Sequence, residues 1–297
     1  MQLQFVKLSP NENMTLLITS TVPREKQFSV ANALIAYQHV YAEQAGFLEA
    51  PTSPKAQARL QMMAGEFCGN ATLSLASYLF SKQNPKTGDT QTFVLEVSGT
   101  PQPVTCTIEK QAKGYWGTLH MPLPLWLKDC CYTLADKTYT FPTISFGGIV
   151  HILVPASTWG AHAKAMAEQA AQTWQTQIDA DAFGILLFDE TKHTLAPLVC
   201  VKGASLIWER GCGSGTTAVG AALALREKKS LSLSLQQAGG TMRIEAKYEH
   251  GRLQDLILGV HIDLVAEGTA YLEENEKNIQ KTVSLYCPCN LESDTVS

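Results

Sequence analysis

The chain opens on an alternation. Hydrophobic and polar residues trade places through "MQLQFVKLSPNENMTLLITS", the period-two signature of a strand. The pattern then changes to helical spacing over "VANALIAYQHVYAEQ" (residues 30–44) and returns to a strand in "AGFLEA". Next comes "AGEFCGNATLSLASYLF", residues 64–80. It begins with small and polar residues and becomes apolar on most faces, which predicts a buried helix entered at Cys68. Residues 93–122 then read as strand, glycine turn, alternating strand, Lys113-Gly114 turn and strand.

The same order is written a second time. "HAKAMAEQAAQTWQ" is helical, "FGILLFDE" is strand-like, and "ERGCGSGTTAVGAALAL" (residues 209–225) predicts a second apolar helix, entered at Cys212. Residues 230–260 follow as strand, Gly239-Gly240 turn, strand, His250-Gly251 turn and strand. Cys212 lies 144 residues after Cys68, about half of the 297-residue chain. A repeat this long means two similar domains rather than a solenoid. The expected fold is α+β: two pseudo-symmetric domains, each a curved, mostly antiparallel sheet or barrel around a central helix. Prolines and mixed charge in "PLPLWLKDCCYTLADKTYTFP" suit a connector, so the expected domains are residues 1–130 and 131–297. The segment after Leu272 is polar and outside the repeat, either a tail or a last strand that rejoins the first domain.

Composition narrows the function. Hydrophobic residues make up 45% and charged residues 17%, as in a soluble globular protein. The net charge is -4 with no basic block, which argues against nucleic acid as a partner. The N-terminus lacks the charged start and apolar run of a signal peptide, and no apolar stretch is long enough for a bilayer, so no membrane association is expected and the location is read as cytoplasmic. Eight cysteines in a chain of this size without an export signal are expected to be reduced. No pair has zinc-ligand spacing, and no metal site is expected.

Both motifs place a cysteine followed by glycine at the entrance of an apolar helix. Free N–H groups and the helix dipole favour negative charge there, so the thiols are expected to have lowered pKa values. Gly69, Gly213 and Gly215 let an anion approach the backbone closely. Two such helix ends facing one cleft would hold a small carboxylate with a sulfur on each face of its α-carbon. One sulfur could remove the α-proton while the other delivers a proton to the opposite face, which is two-base racemisation or epimerisation without cofactor. Cys106, Cys130, Cys131 and Cys200 lack this context and read as small core residues.

At these residues the chain resembles the diaminopimelate epimerase-like superfamily, and within it the histidine racemases of staphylopine-type metallophore synthesis. The resemblance rests on "NMT" at Asn13–Thr15, "HVYAEQAGFLE" at His39–Glu49, "GEFCGNATLS" at Gly65–Ser74, "LLFDE" at Leu186–Glu190, "SLIWERGCGSGT" at Ser205–Thr216 and "QAGGT" at Gln237–Thr241. It covers residues 1–272. It implies a cofactor-independent isomerase that interconverts L- and D-histidine, with Cys68 and Cys212 as acid–base residues. It implies backbone contacts to the substrate carboxylate from Gly69, Asn70, Gly213, Ser214 and Gly215, and places Asn13 in the cleft. The partner it implies is a free amino acid, with a homodimer as the candidate assembly.

Departures from the epimerase pattern leave some roles open. Glu209-Arg210 is separated from Cys212 only by Gly211, which argues against diaminopimelate as substrate. Glu209 is either a partner for a substrate ammonium or a surface carboxylate. Glu43-Gln44 falls where the epimerases carry an acid-Gln pair; Glu43 either reads an imidazole N–H or solvates a loop. His151 alternates with apolar neighbours and reads as a core histidine. Racemisation of another amino acid and a thiol redox function are the competing readings.

Overall fold

The computed structural model describes residues 1–203 and 205–273. The first half runs β1 (Gln2–Pro10), β2 (Thr15–Ile18), α1 (Arg24–Ile35), β3 (Gln44–Glu49), β4 (Ala58–Met62), α2 (Gly69–Ser81), β5 (Thr90–Val97), β6 (Val104–Lys110) and β7 (Tyr115–His120). The second runs β8 (Trp126–Leu134), β9 (Lys137–Phe146), β10 (Ile149–Pro155), α3 (Ala163–Trp174), β11 (Ala182–Asp189), β12 (Thr194–Val201), β13 (Ser205–Trp208), α4 (Gly213–Glu227), β14 (Leu231–Gln237), β15 (Gly240–Glu249) and β16 (Arg252–Tyr271).

The repeat extends to strand direction. β2 pairs parallel with β3, β3 antiparallel with β4 and β4 parallel with β5; β10, β11, β12 and β14 repeat those three relations in order. The antiparallel meander β5–β6–β7 matches β14–β15–β16. In each half the strand faces sort their apolar residues by the pleat. In β11, Phe183 and Ile185 join a core with Trp174 of α3, while Leu186 and Phe188 join a core with Ala218 and Val219 of α4. In the first half, Leu16 and Ile18 of β2 pack with α1 residues, and Leu17 joins the core around α2.

β16 joins the halves. Its first part pairs with β15 and β7, and its second part, from Ile262 to Tyr271, pairs with β1. The first half is thereby a closed barrel around α2. β7 and β8 make the corresponding crossing in the other direction, since β7 pairs with β16 and β8 with β9. Pro122 and Pro124 interrupt that crossing because each removes a ladder donor.

Two expectations change here. The segment read as a connector is largely the β8–β9 hairpin, turning at Ala135 and Asp136, both at positive φ. A division at 130/131 would cut β8 in its middle. β16 rejoins the first half, and residues 274–297 of the polar segment after Leu272, which include Cys287 and Cys289, lie outside the described residues. The helical reading of residues 30–44 also ran too far. α1 ends at Ile35, and Ala36 already has extended backbone.

The halves touch tightly at the turns. Asn11 and Glu12, both at positive φ between β1 and β2, press against the turn between β14 and β15. A Cβ on Gly239 would lie 2.0 Å from the Asn11 carbonyl oxygen, a backbone atom that cannot swing away. Gly239→Ala should therefore lower the melting temperature by about 2–6 °C through overpacking. Thermal unfolding followed by circular dichroism checks this, and an unchanged midpoint would refute the contact.

Candidate active site

α2 and α4 carry the same N-terminal device. Cys68 is the N-cap of α2 and its sulfur accepts from the Ala71 N–H at 3.4 Å; Cys212 caps α4 and accepts from the Gly215 N–H at 3.3 Å. Thr72 and Thr216 each donate a hydroxyl to the carbonyl of their own cap cysteine, both at 2.7 Å. The two helix ends meet. Asn70 Nδ2 donates to the Gly211 carbonyl at 2.9 Å, and a Cβ on Gly213 would stand 3.1 Å from Asn70 Oδ1. Leu258 of β16 lies beneath both ends, 3.4 Å from a Cβ on Gly69 and 2.8 Å from one on Gly213. The first-turn N–H groups of Gly69, Asn70, Gly213 and Ser214 have no acceptor inside their helices.

The sulfurs differ in their other partners. Cys68 Sγ donates to Gln44 Oε1 at 3.0 Å. The Gln44 amide is held in that orientation because its Nε2 donates to Asn13 Oδ1 at 2.6 Å and Thr15 Oγ1 at 2.8 Å. Cys212 Sγ lies 3.6 Å from the Ser214 hydroxyl, and that hydroxyl lies 2.9 Å from His151 Nε2. Glu209 lies close enough to act electrostatically on Cys212. Glu43 and Glu209 influence one another electrostatically, and Arg210 and Glu12 act on Glu43 as well. Glu43, Gln44, Glu209, Asn13, Asn70 and Ser214 thus surround the paired helix ends. Arg210 instead turns away to bind Glu12 at 2.5 Å.

The expectation of lowered thiol pKa values is overturned. Burial pushes Cys68 up to about 12, against the helix N–H groups that favour its thiolate, and Glu66 and Glu209 add to the rise. Burial pushes Cys212 well above its ordinary value too, followed by repulsion from Glu209; Ser214 and the Gly215 N–H oppose this. Loss of water and nearby negative charge outweigh the helix dipole. Both free thiols are therefore protonated at rest. Burial, with Glu209 beside it, raises Glu43 to about 7, and burial also raises Glu66 and Glu209.

Sequence reasoning missed Gln237. It is buried, its Oε1 accepts from the Cys212 N–H at 2.8 Å, and its Nε2 donates to Thr216 at 2.7 Å. Its signal was its place at the head of "QAGGT", a segment on which the resemblance rests, just before a Gly-Gly turn. His151, read as a core histidine, is fully buried, but its Nε2 bond leads to the site. Gly215 lies deeper in α4, where its N–H serves the sulfur. Among the described residues all six cysteines are free, no group of three or more His, Cys, Asp and Glu could hold a metal ion, and no helix is long and apolar enough to cross a membrane.

Comparison with known proteins gives a consistent picture. The sequence model of the family described as "Histidine racemase CntK N-terminal domain" matches residues 2–271. A histidine racemase of Staphylococcus aureus is 29% identical over 274 residues, which is 91% of this chain and 98% of that protein. A histidine racemase of Fusobacterium nucleatum is 26% identical, over 91% of this chain and 97% of its own. Among solved structures, a hydroxyproline epimerase from Agrobacterium vitis with bound trans-4-hydroxy-L-proline superposes with a TM-score of 0.71 at 13% identity, covering 92% of this chain and 93% of that one. At that identity the likeness speaks for the fold.

The raised Glu43 value has a consequence for stability. Folded Glu43 holds its proton up to about pH 7, whereas the ordinary value is 4.5. Between these values the folded state binds more protons than the unfolded one, so this contribution falls as pH rises through the window. Glu43→Gln should raise the melting temperature by about 2–4 °C near pH 8 and leave it unchanged near pH 4.5. An equal shift at both pH values would contradict the assignment.

Proposed function

The chain belongs to the histidine racemase CntK N-terminal domain family, and on that premise we propose that it interconverts L- and D-histidine by a cofactor-independent two-base mechanism. Membership makes it an amino-acid racemase, an isomerase. The observation that carries the mechanism is the pair of cap sulfurs on two helix ends joined by the Asn70–Gly211 bond.

In this reading the substrate carboxylate sits on the first-turn N–H groups of Gly69, Asn70, Gly213 and Ser214, which neutralise charge as the α-carbanion forms. The unpartnered Asn70 Oδ1 and Glu43 Oε2 are acceptors for groups of the substrate that carry N–H. Cys212 passes its proton to Glu209, and its thiolate then takes the α-proton. Cys68 delivers its own proton to the opposite face. The C–H bond broken on one face is replaced on the other, no electrons leave the system, and the proton on Glu209 returns to Cys68 by way of solvent once the product leaves, which restores both thiols. Asn13 holds Gln44 in register with Cys68. Glu43 reads the imidazole N–H and so selects histidine. The free thiols suit a reducing cytoplasm. A role in supplying D-histidine to a metallophore rests on the sequence resemblance.

Three measurements test this. In deuterated water the α-proton signal of L-histidine should vanish as D-histidine appears on a chiral column; a persistent α-proton would reject histidine as substrate. Cys68→Ser and Cys212→Ser should each lower racemisation by at least about 10²-fold, and an active serine variant at either position would remove that sulfur from the mechanism. Glu43→Ala should raise KM for histidine far more than it slows exchange in an amino acid without an imidazole. An equal effect on both would show that Glu43 does not select the ring.

A further inference from the structure

His151 lies at the start of a chain of polar atoms that ends on a reacting sulfur. Its Nε2 meets the Ser214 hydroxyl at 2.9 Å, and that hydroxyl meets Cys212 Sγ at 3.6 Å. The other ring nitrogen, Nδ1, is buried without a partner and faces Gly184, where a Cβ would come within 2.4 Å of it. A buried, unpaired N–H is costlier than a buried, unpaired lone pair. The proton of the neutral ring therefore belongs on Nε2. Burial holds His151 down to about 3, so the ring stays neutral through the working range. With Nε2–H donating, the Ser214 oxygen is an acceptor, and its own hydrogen is left to point at Cys212.

Cys68 meets the opposite arrangement. Asn13 and Thr15 take both Gln44 amide hydrogens, so only Oε1 faces Cys68, and it can only accept. We infer that His151, acting through Ser214, is a positioning residue that makes Cys212 the hydrogen-bond acceptor and hence the sulfur that gives up its proton first and becomes the base, while Gln44 keeps Cys68 as the proton donor. The inference rests on the two-base reading above and assigns each sulfur its starting role.

The ionisable neighbours fit this division. Glu209, on the turn before Cys212, is the group that can take its proton, and its repulsion of the thiolate ends once it does so. Glu66 acts on Cys68 from the turn before α2, and Glu209 acts on it across the site. Glu43 lies one step further out against Glu209 and Arg210, and Arg210 is paired with Glu12. None of these gives Cys68 a hydrogen-bonding base of its own.

Residue-resolved alkylation with iodoacetamide near pH 8, read by mass spectrometry, tests the assignment without substrate. Thiolate is the reacting form. Ser214→Ala should slow alkylation of Cys212 by about tenfold and leave Cys68 unchanged, although the smaller side chain opens access. Ser214→Thr, which keeps the hydroxyl, should restore the rate, and His151→Phe should slow Cys212 alone. Gln44→Met should speed alkylation of Cys68. In racemisation, Ser214→Ala should move the acid limb of the kcat/KM profile upward and leave the alkaline limb in place. An unchanged or faster Cys212 in Ser214→Ala, or equal slowing of both sulfurs in His151→Phe, would overturn the inference. If the wild type does not racemise histidine, the substrate reading falls, and the alkylation pattern still decides the roles of the sulfurs.

Discussion

Two helix N-termini pressed against each other are the constraint on which the rest of this protein depends. Each end carries roughly half a positive charge, and like ends repel. The structure holds them together with one side-chain bond, from Asn70 to the Gly211 carbonyl, over a floor of Leu258 and Met121. Gly213 leaves room for this approach, because a Cβ there would stand 3.1 Å from Asn70 Oδ1 and 2.8 Å from Leu258. Carboxylates gather around the same point, with Glu43, Glu66 and Glu209 all raised by burial beside it. A place that concentrates positive dipole ends and carries buried, protonatable acids suits an amino acid, whose carboxylate and ammonium need both.

The connected sheet delivers that meeting. β7 and the first part of β16 pair with each other near the middle of the molecule, and each then crosses into the opposite half. This exchange makes the relation of α2 to α4 a property of the sheet rather than of a flexible linker. The turn at Asn11 and Glu12, wedged against Gly211 and Gly239, adds a second contact beside the site. The Arg210–Glu12 ion pair is half-exposed and contributes little by itself. It does direct Arg210 away from the helix ends.

Duplication supplies two near-identical caps, and the chemistry needs them to differ. The shared parts are the cap sulfur, the N–H three residues on and the threonine four residues on. The differences lie one shell outward. Gln44 stands against Cys68, and Ser214 with His151 stands against Cys212. In the proposed two-base mechanism one sulfur takes a proton while the other gives one, so the symmetry of the fold has to be broken by side chains brought in from β3 and β10.

Much of this was legible in the sequence because it is local. The repeat, the cap cysteines, the following glycines and the buried helices follow from adjacent residues and from apolar spacing that repeats at a fixed interval. Gln44, held by Asn13, contacts Cys68, Ser214 contacts Cys212, and Asn70 links the two helix ends. The tertiary structure alone decided three things. Strand exchange through β16 joins residues more than 250 apart in the chain, such as Gln2 and Tyr271, which no local pattern reports. The sign of the thiol shifts was misread, because a helix N-terminus argues for thiolate locally while burial and converging carboxylates argue more strongly against it. The roles of His151 and Gln237 depend on partners 63 and 25 residues away, so in the sequence they were one histidine among apolar neighbours and one glutamine before a turn.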